Sequence, residues 1–437
     1  MTKPGIHLHD AQSITRRSLL AGAVAGAAFS ALPMGRALAA ERVRFVWWGS
    51  QERADRTNKA IAAYKAVNPA LEIVGEFSGW NDYWTRLATQ VAGRNAPDLI
   101  QMDYRYIFEY ARRGALMPLD DYLGKGLDIA DFGAANIDSG RVGGKLYGVN
   151  LGVNSSALLY DTVAWQKAGV EAPAPGMTWE QFGERCLALS KAKTRPGIYG
   201  MSDGSSVEPA LELWLRQRGK SLYADDGKLG FDAADIEAWF SYWEELRKAG
   251  AIVPADIAAL DQASIETNAL TTGKAMATFA HSNQFVGFQK LNKSELGLSI
   301  YPSAGPDKPS GHYLKPSMQL SLASTAKSVE AVIGFVNFLV AKPEGVNILG
   351  LERGVPASEA MRKELSGSLN AVDKKVVELI AIITKVATPL PPPPPSGAGE
   401  ITAVLTRVSQ EIAFESITPK DGATKFVSEA DAILARG

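Results

Sequence analysis

Three short segments concentrate the side chains with the most chemistry: Gly49-Ser50-Gln51, Ser78-Gly79-Trp80-Asn81 and Asp103-Tyr104. Each is polar or aromatic where an apolar, strand-like run stops. Amides and carboxylates such as Gln51, Asn81 and Asp103 bond adjacent hydroxyls in pairs, and Ser50 adds a single donor and acceptor. Polar stretches further along add Asn154, Ser155, Ser206 and Glu208. Trp47, Trp48, Trp80, Tyr104 and Trp214 are candidate flat platforms for C–H surfaces. Flat apolar faces together with many hydrogen-bond partners suit a small ligand that carries both C–H surfaces and hydroxyls. Asp103 stands out, because a carboxylate ending an apolar strand is costly unless it is solvated or partnered. Asp103→Ala is expected to weaken binding roughly tenfold or more while leaving melting nearly unchanged.

The platforms carry packing alternatives. Trp47 and Trp48 point to opposite faces of one strand, so at least one belongs to a core. Trp214 lies within Leu211-Glu212-Leu213-Trp214-Leu215 and reads as packing or as a platform. Trp239 and Trp243, four apart on a helix, are read as packing.

The elements that must position these groups follow from periodicity. Arg42 to Trp48 is β-branched and aromatic, closed by Gly49, and reads as a strand. A helix follows, with Ala54, Ile61 and Tyr64 as its apolar side, and stops at Asn68-Pro69. Leu71, Ile73 and Phe77 alternate as a second strand; Tyr83, Leu87 and Val91 recur at helical spacing; Asp98 to Met102 is a third strand. This β-α-β-α-β order implies a parallel sheet with helices on its faces, and ligands of such sheets sit beyond the carboxyl ends of the strands. Gly143-Gly144 reads as a hairpin turn, Thr178 to Gln181 as a capping box, and Val332, Phe335, Val336 and Leu339 as an amphipathic helix ending before Pro343. Pro391 to Pro395 is stiff and extended, a rigid connector ahead of a last helical segment through Ile401, Leu405 and Val408.

The first 39 residues read as an address. Arg16-Arg17 precedes an apolar Ala- and Gly-rich run reaching Leu32, and Ala37-Leu38-Ala39 supplies the small-x-small cleavage pattern. The Arg pair gives it the form of a twin-arginine export signal. The run is shorter than the ~20 apolar residues a span needs. Without residues 1–39 the chain keeps 42 basic and 46 acidic side chains, a net charge of −4, which argues against a nucleic-acid partner. Cys186 is the only cysteine, so no intrachain disulfide forms, and its apolar neighbours predict a buried thiol.

The catalytic inventory is thin. His-Glu-x-x-His does not occur, and only His281 and His312 follow residue 39. A His-rich zinc site is therefore excluded and no cofactor or metal is expected. A secreted glycoside hydrolase using a carboxylate pair remains the alternative, since acids are abundant, and a lectin-like adhesin is a third reading.

Several motifs resemble, in order, those of the family 1 extracellular solute-binding proteins, relatives of maltose-binding protein. They are Gly93 to Asp98, Gly114 to Asp120, Gly143 to Val149, Leu159-Tyr160-Asp161 with Thr178 to Phe182, Thr272 to Ala277, and Arg353 to Ala357. The resemblance runs along nearly the whole chain after residue 39. It implies an α/β fold of two lobes (type II), each a mostly parallel sheet flanked by helices, joined by two or three crossings. Lobe 1 is expected over 40–150 and 312–350, and lobe 2 over 151–311 and 351–437. The implied function is that of the periplasmic substrate-binding subunit of an ABC importer, a monomer that closes on a carbohydrate and delivers it to membrane permease subunits. The family often carries Gly-Ser-Trp after its return strand. Here Ala280-His281-Ser282-Asn283-Gln284 stands there, so hydrogen bonding by His281, Asn283 or Gln284 replaces stacking. Arg353 either meets an anionic group or caps a helix end.

Overall fold

The structure, a computed structural model, describes residues 41–436; the export signal and its cleavage near Ala39 lie outside them. The strand Glu41–Trp48 pairs in parallel with Leu71–Ser78 along its whole length, and with Leu99–Met102 through Phe45 and Val46. Gln319–Leu322 joins the far side of Leu99–Met102 antiparallel, followed by Val149–Asn150, completing five strands. The strand Glu41–Trp48, interior to the sheet, is β-branched and aromatic on both faces because both are covered. Gly75, paired with Phe45, leaves room for the indole of Trp47: a Cβ there would lie 2.6 Å from Trp47 Cη2. The helix Gln51–Val67 ends at Asn68, as expected, and Val329–Ala341 buries Val332, Phe335, Val336 and Leu339 against this sheet.

The helix Gln51–Val67 departs from expectation on its inner face. Ala54 and Tyr64 are buried, but Arg53 and Thr57 are buried with them and Ile61 is only half-buried. The reason is a buried polar layer between this helix and the Glu352-Arg353 segment, into which Arg53 and Thr57 project.

The second lobe has its own sheet, Leu296–Ser299, Ser156–Asp161 and Ala277–His281 in that order. All three strands pair antiparallel, which corrects the expected mostly parallel sheet. Parallel pairing in this lobe is confined, among the described residues, to the single bridges of Thr178 to Ser303, Tyr199 to Ala275 and Met201 to Ile252. A large aromatic core lies under it, with Trp165, Trp179, Trp239, Trp243 and Phe426 almost wholly buried. Cys186 is buried there as a free thiol, and burial pushes its pKa up.

Three short strands form a third sheet between the two: Lys315–Pro316, Gly152–Asn154 and Val355–Pro356. The expected hairpin forms at Gly143-Gly144, with φ of 58° and 82° that only glycine adopts freely. Thr178 makes the expected capping box with Gln181. The proline run joins the helices Ala371–Val386 and Ala398–Ala413. Among the described residues no single helix is long and apolar enough to cross a membrane.

Candidate functional site

A cavity of about 330 Å³ opens between the two lobes, with the three-stranded sheet at its base. Its first wall is built from strand ends and the helix starts that follow them. Trp48 ends the first strand, and its side chain lines the cavity edge-on to Trp80 and beside Trp84. Ser50 lines it too, while capping the helix Gln51–Val67 by accepting from the Arg53 N–H at 3.3 Å. Trp80 and Asn81 open the helix Trp80–Ala92 and stand half-buried and exposed in the same wall.

Asp103 is the electrostatic centre of this wall. It caps the helix Tyr104–Arg112, accepting from the Arg105 N–H at 2.9 Å, and its other oxygen holds Lys315 Nζ at 2.8 Å. Burial pushes its carboxyl up, but the charges of Lys315 and Arg105 and these bonds outweigh burial and hold it below the usual range. The Arg105 guanidinium stands 5.9 Å from the Trp80 ring centre and reaches across to pair with Glu208 of the second lobe.

The second wall is less regular. Asp203, Ser205 and Ser206 come from one loop, Glu208 from the start of the helix Glu208–Arg216 that follows it, and Asp261 and Asn268 from another loop. His281 ends the strand Ala277–His281 and Asn283 lies in the turn that follows it. Burial, aided by the charge of Lys315, depresses His281 to about 3, so its ring is neutral at ordinary pH. At the base, Asn154 Nδ2 donates to Asn283 Oδ1 at 2.7 Å, and Asn283 Nδ2 donates to the Glu352 carbonyl at 2.9 Å. Asn154 Oδ1 remains buried without a partner. Glu352 grips Arg53, both its oxygens lying 2.9 Å from Arg53 Nε, while Arg53 also donates to the Trp48 carbonyl. The helix Ala398–Ala413 and Phe414 border the open side, and Phe414 is 54% exposed.

Six of the residues picked from the sequence stand elsewhere. Trp47 is core, stacked on Phe77 and tilted against Phe45, because it faces the opposite side of the strand from Trp48. Trp214 packs among Trp179, Trp239 and Tyr242 with Arg218 3.3 Å above its ring centre. Gln51 is exposed and donates to Asp55 one turn on. Ser155 is consumed by the Tyr313 carbonyl at 2.7 Å. Tyr104 lies in a smaller neighbouring cavity of about 40 Å³ beneath the proline run, its hydroxyl 3.4 Å from the Pro391 carbonyl and pushed up to about 12 by burial and Glu212. Arg353 neither faces the cavity nor caps a helix. It is buried behind the first wall, donating to Gln101 and Thr57, and burial lowers it to about 9 although Glu352 opposes this.

Sequence reasoning missed Arg53, Arg105, Lys315, Asp203, Asp261, Asn268 and Phe414 in the lining. Arg105 had a usable signal, two residues after the strand-end Asp103. Asp203, Asp261 and Phe414 had none, because no strand leads into them.

The family model described as bacterial extracellular solute-binding protein matches residues 48–345. A solved family 1 extracellular solute-binding protein from Alicyclobacillus acidocaldarius is 34% identical, covering 90% of this chain and 98% of that one, with a TM-score of 0.62. A periplasmic oligogalacturonide binding protein from Yersinia enterocolitica, solved with saturated digalacturonic acid, is 23% identical with coverage of 90% and 99% and a TM-score of 0.81. The diacetylchitobiose binding protein DasA of Streptomyces coelicolor is 23% identical over 301 residues, 68% of each chain. Curated relatives from Brucella abortus align over 38% of this chain at 24% identity, and the chain spans 40% of their length.

Proposed function

The chain belongs to the bacterial extracellular solute-binding proteins, and we propose that it is the exported subunit of an ABC importer that captures a carbohydrate in its interlobe cleft. The observation that carries this reading is the composition of the cleft. Trp48 and Trp80 offer ring faces and edges from one lobe, while Ser206, Asn268, His281 and Asn283 offer neutral hydrogen-bond partners from the other. Sugars are held by such pairing of flat apolar contact with many bonds to hydroxyls. The names of two relatives, an oligogalacturonide binder and a diacetylchitobiose binder, support the same ligand class.

In this reading lobe 1 comprises residues 40–150 and 312–350 and lobe 2 the remainder after residue 39. The chain crosses between them at Gly152–Asn154, Lys315–Pro316 and Val355–Pro356. Hinge motion at these crossings closes the walls on the ligand, and permease subunits engage the closed monomer. Export follows from the twin-arginine-like segment, with cleavage near Ala39 and a periplasmic destination.

The test is a thermal-shift screen of residues 40–437 against neutral sugars, uronates, polyols and amino acids. A ligand at one hundred times its Kd stabilises the folded state by about 2.7 kcal/mol. A shift with carbohydrates, and recovery of the compound unchanged, is the expected result. No shift with any carbohydrate overturns the reading, and conversion of a glycoside to product replaces it with the hydrolase alternative.

A further inference from the structure

The charges of the cleft are already matched to one another. Three cations line it: Arg53, Arg105 and Lys315. Arg53 is held by Glu352 at 2.9 Å, Lys315 by Asp103 at 2.8 Å, and Arg105 by Glu208. The Arg53 and Lys315 pairs are buried or nearly so, and Arg105 and Glu208 are little more exposed. On the acidic side, Asp203 is held by Arg247 at 2.6 Å. Asp261 is the one cavity-lining carboxylate with no cationic partner among the described residues, its oxygens accepting from the Ala263 N–H and Asn268 Nδ2. Arg353, whose Nη1 lacks a hydrogen-bond partner, is buried behind Gln101 rather than in the wall.

We propose that this cleft selects an uncharged carbohydrate and rejects uronates and other anionic sugars; the proposal rests on the carbohydrate reading above. A ligand carboxylate entering this space must be desolvated and given a cation, because a charge buried without a partner is strongly unfavourable. Every lining cation already holds a carboxylate, so the newcomer either strands Glu352, Asp103 or Glu208 or remains unpaired itself. Breaking a buried pair by displacing one member leaves an uncompensated charge. Unpaired Asp261 adds a like charge that repels an anion. Neutral hydroxyls meet no such obstacle, since carboxylates engaged by cations keep lone pairs free to accept from them. The charge pattern therefore acts by exclusion, discriminating among sugars that the aromatic and amide contacts alone would hold equally.

The experiment is titration calorimetry of residues 40–437 with neutral di- and trisaccharides of glucose, galactose and N-acetylglucosamine, and with digalacturonic and trigalacturonic acids. Binding of a neutral sugar at least a hundredfold tighter than either uronate is expected. Uronate binding equal to or tighter than every neutral sugar overturns the charge inference while leaving the carbohydrate reading intact. Failure of both groups to bind, together with a flat thermal-shift screen, overturns the reading beneath it. Two variants probe the cause: Glu208→Gln frees Arg105, and Asp103→Asn frees Lys315 while keeping a side chain able to cap the helix. Each is expected to raise digalacturonate affinity tenfold or more and to lower neutral-sugar affinity. Folded variants with unaltered digalacturonate affinity would show that the matched pairs are not the barrier.

Discussion

The two walls of the cleft are built by different means. The first wall hangs from the carboxyl ends of parallel strands, so Trp48, Ser50, Trp80 and Asp103 occupy positions dictated by the sheet. The second wall is drawn from the loops around Asp203 and Asp261, the turn after Ala277–His281, and a helix end near the carboxyl terminus. Only the turn is attached to a strand of the second sheet. A sheet fixes its strand ends to within a residue, whereas loops are placed by whatever they pack against. The first wall is thus a rigid template and the second an assembly of tertiary contacts. Where the two meet, Arg53 of the first is clamped by Glu352, whose carbonyl receives Asn283 of the second.

Removing that junction has the largest expected effect. Glu352→Ala strands Arg53 in a buried site, at a cost of about 3–5 kcal/mol, read as a fall in the denaturant midpoint. Hydrogen exchange sharpens the comparison: if the first wall is the template, amides around Ser282 and Asn283 lose protection before those of Gln101 and Met102. Equal loss in both would mean the walls form one unit.

Acid tests the same asymmetry without mutation. Among the described residues there are two histidines: His281 ends a strand of the second lobe, and His312, at the boundary of the first, accepts from the Tyr301 N–H of the second; burial depresses each to about 3. The folded values lie below the ordinary one, so the unfolded chain binds protons that the folded chain refuses. Stability is therefore fully present above about pH 6.5 and is lost as pH falls from there towards 3. The slope approaches about 1.4 kcal/mol per pH unit for each ring. Carboxylates held low, such as Asp103, add their loss only nearer pH 4. Between pH 6 and 5 the fall belongs to the histidines, and His312→Asn should nearly halve it. An unchanged slope in that variant would mean His312 takes up a proton in the folded state.

Asp103→Ala comes next, and here the structure changes the expectation of nearly unchanged melting. Asp103 is buried, caps the helix Tyr104–Arg112 and partners Lys315. Its loss should cost about 2 kcal/mol of stability as well as roughly tenfold or more in ligand affinity. Asp103→Asn should recover most of the stability, because an amide oxygen caps almost as well as a carboxylate.

What was legible in the sequence follows the same division. Strand ends were readable because apolar runs stop visibly, and that alone placed Ser50, Trp80, Asn81 and Asp103 in one wall. Alternation within the strand put at least one of Trp47 and Trp48 in a core, yet not which, since both faces of an interior strand are covered. Ser206 and Glu208 were found by composition, without an element to position them. Trp214 and Ser155 were misplaced because a polar or aromatic residue beside the cleft looks the same in sequence whether it faces inward or out. Arg353 was misread because its partners Gln101 and Thr57 are distant in the chain and individually unremarked. The matched ion pairs show the same thing: Arg105 with Glu208 and Lys315 with Asp103 join residues that only folding brings together.

The smallest expected effect lies at the open edge of the second wall. Phe414 follows the helix Ala398–Ala413 and stays half-exposed on the cavity border, where it contributes little to any core. Phe414→Ala should therefore change stability by less than about 0.5 kcal/mol. If the ring packs on a sugar face as the walls close, its removal should weaken binding by about 0.5–1.5 kcal/mol, roughly two- to tenfold. The comparison with Trp80→Ala decides what the second wall is for. Trp80 is held by contacts to Trp48, Trp84 and Tyr106, so it meets the ligand already ordered, and its loss should cost more affinity. Phe414, with no such support, must be ordered by the ligand, and its contribution should appear mainly in the dissociation rate once the cleft has closed. Equal effects of the two substitutions on affinity would mean the second wall is as well organised before binding as the first. No effect of Phe414→Ala on either rate would place the ring outside the ligand's reach and leave stacking to the first wall alone.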